Sequence, residues 1–149
     1  MINISQQDYH VRITNTGENG EVLAKGDILI WNKEHFLQFI ENLILEEIIC
    51  IREYDLDEEL TDFEILEEFK DNFNDLYMLK ASVKDEDKIV FIDSIENCSN
   101  VKFAARDMVD YLKEKYDKIL LYPIEDAIGY WRDLGFRPYH AERFYGYNF

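Results

Sequence analysis

Two apolar-rich stretches near the start of the chain, "DYHVRITNT" and "EVLAKGDILIW", read as strands. Between them "GENG", residues 17 to 20, supplies hairpin-turn residues. A helical period follows. Phe36, Phe39, Ile40, Leu43, Ile44 and Ile48 recur at spacings of three and four, which predicts a long helix with one buried stripe. Asn32 is placed to cap it, and Trp31 and Phe36 occupy the two positions of a hydrophobic staple. A second helix is predicted from Thr61, where "TDFE" forms a capping box, with Phe63, Leu66, Phe69, Phe73 and Leu76 on its inner face. "LYMLKASV" and "KIVFID" read as strands joined by the polar turn "KDED". A strand at 88–95, a helix at 100–116 capped by Ser99, and a strand at 118–122 make a strand–helix–strand unit with parallel strands. That helix turns Val101, Ala105, Met108, Val109, Leu112 and Tyr116 inward. "PIEDAIGYWRDL" predicts a short helix ended by Gly135, and "FRPY" and "RFYGYNF" are closing strands. The expected fold class is therefore α+β: one domain over residues 1–149, with a mixed, mostly antiparallel sheet flanked by helices. Residues 1–75 supply the hairpin and two helices, and residues 76–149 a β-α-β-α-β-β half.

Composition narrows the function classes. With 149 residues, 47% hydrophobic and 15% aromatic, the chain can bury one core. The net charge of -16 argues against direct contact with nucleic acid or an anionic membrane, because both are polyanions. Residues 53 to 75 hold eleven acids against the single base Lys70. The last 23 residues hold three arginines against two acids, making the ending the least acidic large surface. A solvated helix face explains such acids, and so does a face that attracts a basic partner. No apolar run is long enough to span a bilayer, and "MINISQQDYH" lacks the basic and apolar regions of a secretion signal. Cys50 and Cys98 are too few and too distant for a disulfide framework, so a reducing cytoplasm is expected. His10, His35 and His140 show no metal spacing, and no metal site is expected. Cys98 precedes a predicted helix start, but no histidine lies near it in sequence, and an inert thiol is the simpler reading.

The stretch "AIGYWRDLGF" has a further echo. With Ala127, Trp131, Gly135 and Phe136 at its fixed places, it resembles the C-terminal half of the GNAT superfamily of acyl-CoA-dependent N-acyltransferases. The resemblance covers roughly residues 76 to 149, whereas the hairpin before the first helix departs from the family's usual start. It implies acetyl-CoA or another acyl-CoA as cofactor and an amine as acceptor. It also implies that the end of one strand, near Ser94, and the next helix N-terminus hold the cofactor pyrophosphate. The matching loop is "NVKFAA", giving Asn100, Val101, Lys102, Phe103, Ala104 and Ala105 as cofactor-binding candidates. Only Ala105 fits the family loop. Asn100 replaces an arginine or glutamine, with Lys102 able to restore some positive charge. Phe103 stands at a glycine and crowds a phosphate unless its ring turns inward. The family's acid tyrosine is Trp131 here, and Ile124 replaces a common asparagine. Tyr130 or Tyr122 as acid and Glu96 as base are the substitutes to test. Two functions follow: an acyl-CoA-dependent N-acyltransferase, or a non-catalytic acidic protein whose Glu41–Asp75 helices cover a basic protein surface, such as the nucleic-acid site of another protein. The first expects an open cleft near Ser94 and Leu121, and a Phe103 ring pointing into that cleft would rule it out. The second expects a blocked cleft and acids on one continuous face. An exposed aromatic C-terminal strand would also make a homodimer through that edge.

Overall fold

The computed structural model describes residues 1–7, 10–54 and 59–149. Among them, seven strands form one sheet in the order β1-β2-β3-β4-β5-β7-β6. They are β1 (Ile2–Gln7), β2 (His10–Thr16), β3 (Val22–Trp31), β4 (Ile89–Asn97), β5 (Lys118–Leu121), β6 (Arg137–Tyr139) and β7 (Phe144–Tyr147). Among the described residues only β4 and β5 run parallel, as a strand–helix–strand crossover requires. Five helices lie among the described residues: α1 (Lys33–Tyr54), α2 (Asp62–Glu68), α3 (Lys70–Ser82), α4 (Ala104–Lys115) and α5 (Ile128–Asp133). The fold class expected from the sequence is the one found.

Strand alternation divides the interior in two. Val90 and Ile92 of β4 face one core, with Met108, Val109 and Leu112 of α4 and Trp131 of α5. Ile89 and Phe91 face the other, with Phe36, Ile40 and Leu43 of α1, Ile65 of α2 and Phe73 and Leu76 of α3. The predicted α1 stripe is buried apart from Phe39, which is half-buried, and Asn32 caps the helix by accepting the His35 amide at 2.8 Å. Thr61 and Glu64 form the predicted capping box. Gly20 takes φ 81° in the first turn, and Gly135 takes φ 90° at the end of α5. There the Phe136 amide reaches back to the Trp131 carbonyl at 3.1 Å, the closing bond of a Schellman cap.

Several expectations are corrected. β1 was not foreseen, and Asp8 and Tyr9 of the predicted first strand lie outside the described residues. "LYMLKASV" is no strand but the end of α3, because Leu76, Leu79 and Val83 follow a helical period into the core. The helix from Thr61 is broken at Phe69 (φ -109°, ψ 37°), which rotates α2 so that Ile65 is buried and Phe63 stays 72% exposed. The predicted helix at 100–116 begins only at Ala104. Ser99 accepts the Val101 amide at 3.2 Å in the preceding loop instead of capping the helix, and Val101 is exposed. β7 is an inner strand with Phe144 and Tyr145 fully buried, and the edge beyond it is the three-residue β6 containing Pro138. The exposed aromatic C-terminal edge expected for dimerisation is therefore absent.

Candidate functional site

A pairing mismatch makes the site. β4 pairs with β5 only from Ile89–Lys118 to Ile92–Leu121, where β5 ends. β4 continues along β3 to Asn97 opposite Ala24. The register passes from Ile28–Ile92 to Asp27–Ser94, so Asp93 is an extra residue in β4, a bulge that re-aims the strand. Gly26 permits this close approach: a Cβ there would lie 2.6 Å from the Ser94 carbonyl oxygen. Beyond Ile92 the β5 side of β4 has no strand partner, and a cleft of about 490 Å³ opens. Its walls are β4, the first turn of α4, the chain after β5, and α5.

Of the sequence-predicted site residues, Ser94, Glu96, Phe103, Ala105, Tyr122 and Tyr130 all line this cleft. Asn100, Val101, Lys102 and Ala104 do not. Val101 lies in the loop, where its carbonyl accepts Asn97 Nδ2 at 2.8 Å, and Ala104 is buried in the core. Lys102 instead lies over the Phe103 ring, 4.9 Å from its centroid. Arg106 also lines the cleft, with its guanidinium 5.3 Å from the same ring. The sequence reading passed over Arg106 because it placed the helix start at residue 100. A start at Ala104 puts Arg106 in the first turn, beside the unsatisfied amides found at any helix N-terminus.

The chemistry of the walls is specific. Phe103 adopts φ 68° and ψ 10°, the left-handed conformation that glycine takes freely and that costs other residues about 1–2 kcal/mol. Its ring is half exposed and forms part of the cleft wall, which opposes a phosphate laid directly on this turn. Trp131 is buried with its ring 5.1 Å from that of Phe136, while its neighbour Tyr130 is partly exposed and lines the cleft. Burial pushes the Tyr130 phenol up, Arg106 opposes this and Asp110 adds to it, so Tyr130 stays protonated at neutral pH. Tyr122 is raised by burial too, countered by Arg143 and reinforced by Glu46. Glu96 is exposed and pairs with Lys25 at 3.4 Å, and Ser94 Oγ lies 3.4 Å from Asp27 Oδ2.

Charge is segregated away from the cleft. Residues 33 to 82, which include α1 to α3, carry fifteen acids against Lys33, Arg52, Lys70 and Lys80, a net of -11 out of -16. Asp55, Asp57 and Glu58 of that set lie outside the described residues. No group of three metal-ligating side chains occurs among the described residues, and no described helix is long and apolar enough to cross a membrane. His140 is buried, with Nε2 3.4 Å from Glu47 Oε2. Cys50 and Cys98 are free and exposed. Comparison with protein-family models, with curated proteins and with solved structures finds no match.

Proposed function

We propose that the chain is a divergent acyl-CoA-dependent N-acyltransferase, acting in a reducing cytoplasm on an amine. The observation that carries this reading is the divergence of two parallel strands, β4 and β5, into an open cleft with a helix N-terminus on its rim. Such a gap leaves strand backbone groups free to grip an extended thioester arm and to orient its carbonyl. In this reading Arg106 and Lys102 attract the cofactor phosphates, and the Phe103 ring shifts them off the turn that a glycine would leave open. Tyr130 is the proton donor to the departing thiolate. Glu96 takes up the proton released by the acceptor amine as the new amide bond forms and the C–S bond breaks.

The test is release of free CoA thiol from acetyl-CoA with a panel of primary amines. Because a thiolate is a fair leaving group even unprotonated, Tyr130→Phe is expected to lower turnover only about tenfold. Thiol release that no amine stimulates, or that Tyr130→Phe leaves unchanged, contradicts the assignment.

The acidic layer favours a second reading, a non-catalytic protein whose α1–α3 face covers a basic protein surface. Phe103 in the cleft lining weighs for it, whereas the cleft is open and not blocked as this reading expects. It predicts salt-sensitive capture of a basic partner and no response to acetyl-CoA.

A further inference from the structure

The five inner strands, β2, β3, β4, β5 and β7, each have a strand on both sides, and the two outer strands, β1 and β6, differ sharply in how they end the sheet. β6 has three residues, Arg137, Pro138 and Tyr139, and proline offers no amide for a further strand. β1 has six, "INISQQ", with neither a charge nor a proline. It pairs with β2 along its whole length, from Ile2–Asn15 to Gln7–His10, and among the described residues nothing pairs with its outer side. In a chain that is 32% charged, a six-residue uncharged edge lacks the protection that soluble sheets use against further pairing.

We propose that this edge pairs antiparallel with β1 of a second copy of the chain, about a two-fold axis normal to the sheet. Charge selects the occupant. A chain of net charge -16 repels itself over most of its surface, and the helical layer holding -11 of that packs on β3, β4, β5 and β7. Residues 1 to 32 carry four acids and two bases, and none of them lies in β1. A lysine-rich strand would find no carboxylate on β1 to meet, whereas a second β1 meets a neutral copy of itself. The strand matches itself best at its centre. Setting Ile4 opposite Ile4 of the other copy puts Ile2 opposite Gln6 and Asn3 opposite Ser5. Ile2 and Ile4 are half-buried against the α4-side core, so that core would continue across the axis. Asn3 and Ser5, both exposed, would meet on the opposite face as hydrogen-bonding pairs.

Light scattering on the full chain tests the arrangement. The mass should rise with concentration from 17.9 kDa toward twice that value by about 100 µM. Asn3→Lys/Ser5→Lys and Asn3→Asp/Ser5→Asp should each stay monomeric, because like charges then face each other across the axis. An equimolar mixture should regain the doubled mass through opposite charges, a recovery that unfolded variants could not give. A wild-type mass that stays at 17.9 kDa overturns the proposal, as does a dimer indifferent to the lysine pair or a mixture that remains monomeric. A wild-type monomer whose mass increases only with an added lysine-rich peptide assigns the edge to a basic partner and equally overturns it.

Discussion

Replacing Phe144 with alanine is expected to cost about 3–5 kcal/mol, the range for emptying a phenylalanine site in a packed core. Phe144 is fully buried on β7 and joins the C-terminal strands to the helical layer. Its ring meets Tyr122 edge-on at 6.0 Å and Phe39 at 6.4 Å, and stacks with Tyr139 at 6.4 Å. Closing the void would disturb these ring contacts. For a chain of this size the melting temperature should fall by roughly 10 °C. Tyr122 would lose its support, so the cleft wall should loosen as well. Thermal denaturation followed by circular dichroism checks the first effect. A loss below about 1 kcal/mol would show that the two layers are not joined through this ring.

Lys118→Met is the second large effect, again about 3–5 kcal/mol. Lys118 and Asp87 are almost fully buried, with Nζ 3.5 Å from Oδ2. Nζ also donates to the Asn148 carbonyl at 2.9 Å, and Asp87 accepts the Lys84 amide at 2.8 Å. The lysine thus ties the start of β5 both to the turn before β4 and to the C-terminal segment. Removing it leaves a carboxylate without its counter-charge in a site nearly closed to water. Adding Asp87→Asn should return much of the loss, because the orphaned charge goes with it. A double-mutant cycle by urea denaturation should give a coupling of about 0.5–3 kcal/mol. Strict additivity of the two substitutions would mean that the pair does not act as a unit.

How much could be read in advance depends on how local each signal is. The α1 stripe and the Gly135 stop were legible because spacing, cap and terminator all lie within one segment. The break at Phe69 carries no glycine or proline to announce it, so α2 and α3 read as one helix and Phe63 was assigned to the wrong face. "LYMLKASV" was ambiguous in the same way, since a short apolar run satisfies either period until its packing partners are known. β1 is mostly polar and sits at an edge, where Ile2 and Ile4 pack against the core. Six of the predicted site residues meet in one cleft because strand, loop and helix follow one another in sequence. What opens the cleft was not legible. It depends on where β5 stops, on the Asp93 bulge and on the backbone approach at Gly26, and these belong to pairings between distant segments.

The central claim is that the gap between β4 and β5 accepts an acyl-CoA. A thermal melt with and without excess acetyl-CoA tests it most directly. At about a hundred times its dissociation constant, a ligand that binds only the folded chain adds roughly 2.7 kcal/mol. The account predicts a melting temperature several degrees higher with acetyl-CoA. A melt that millimolar acetyl-CoA leaves unmoved would contradict it and turn attention to a basic partner for the acidic helices.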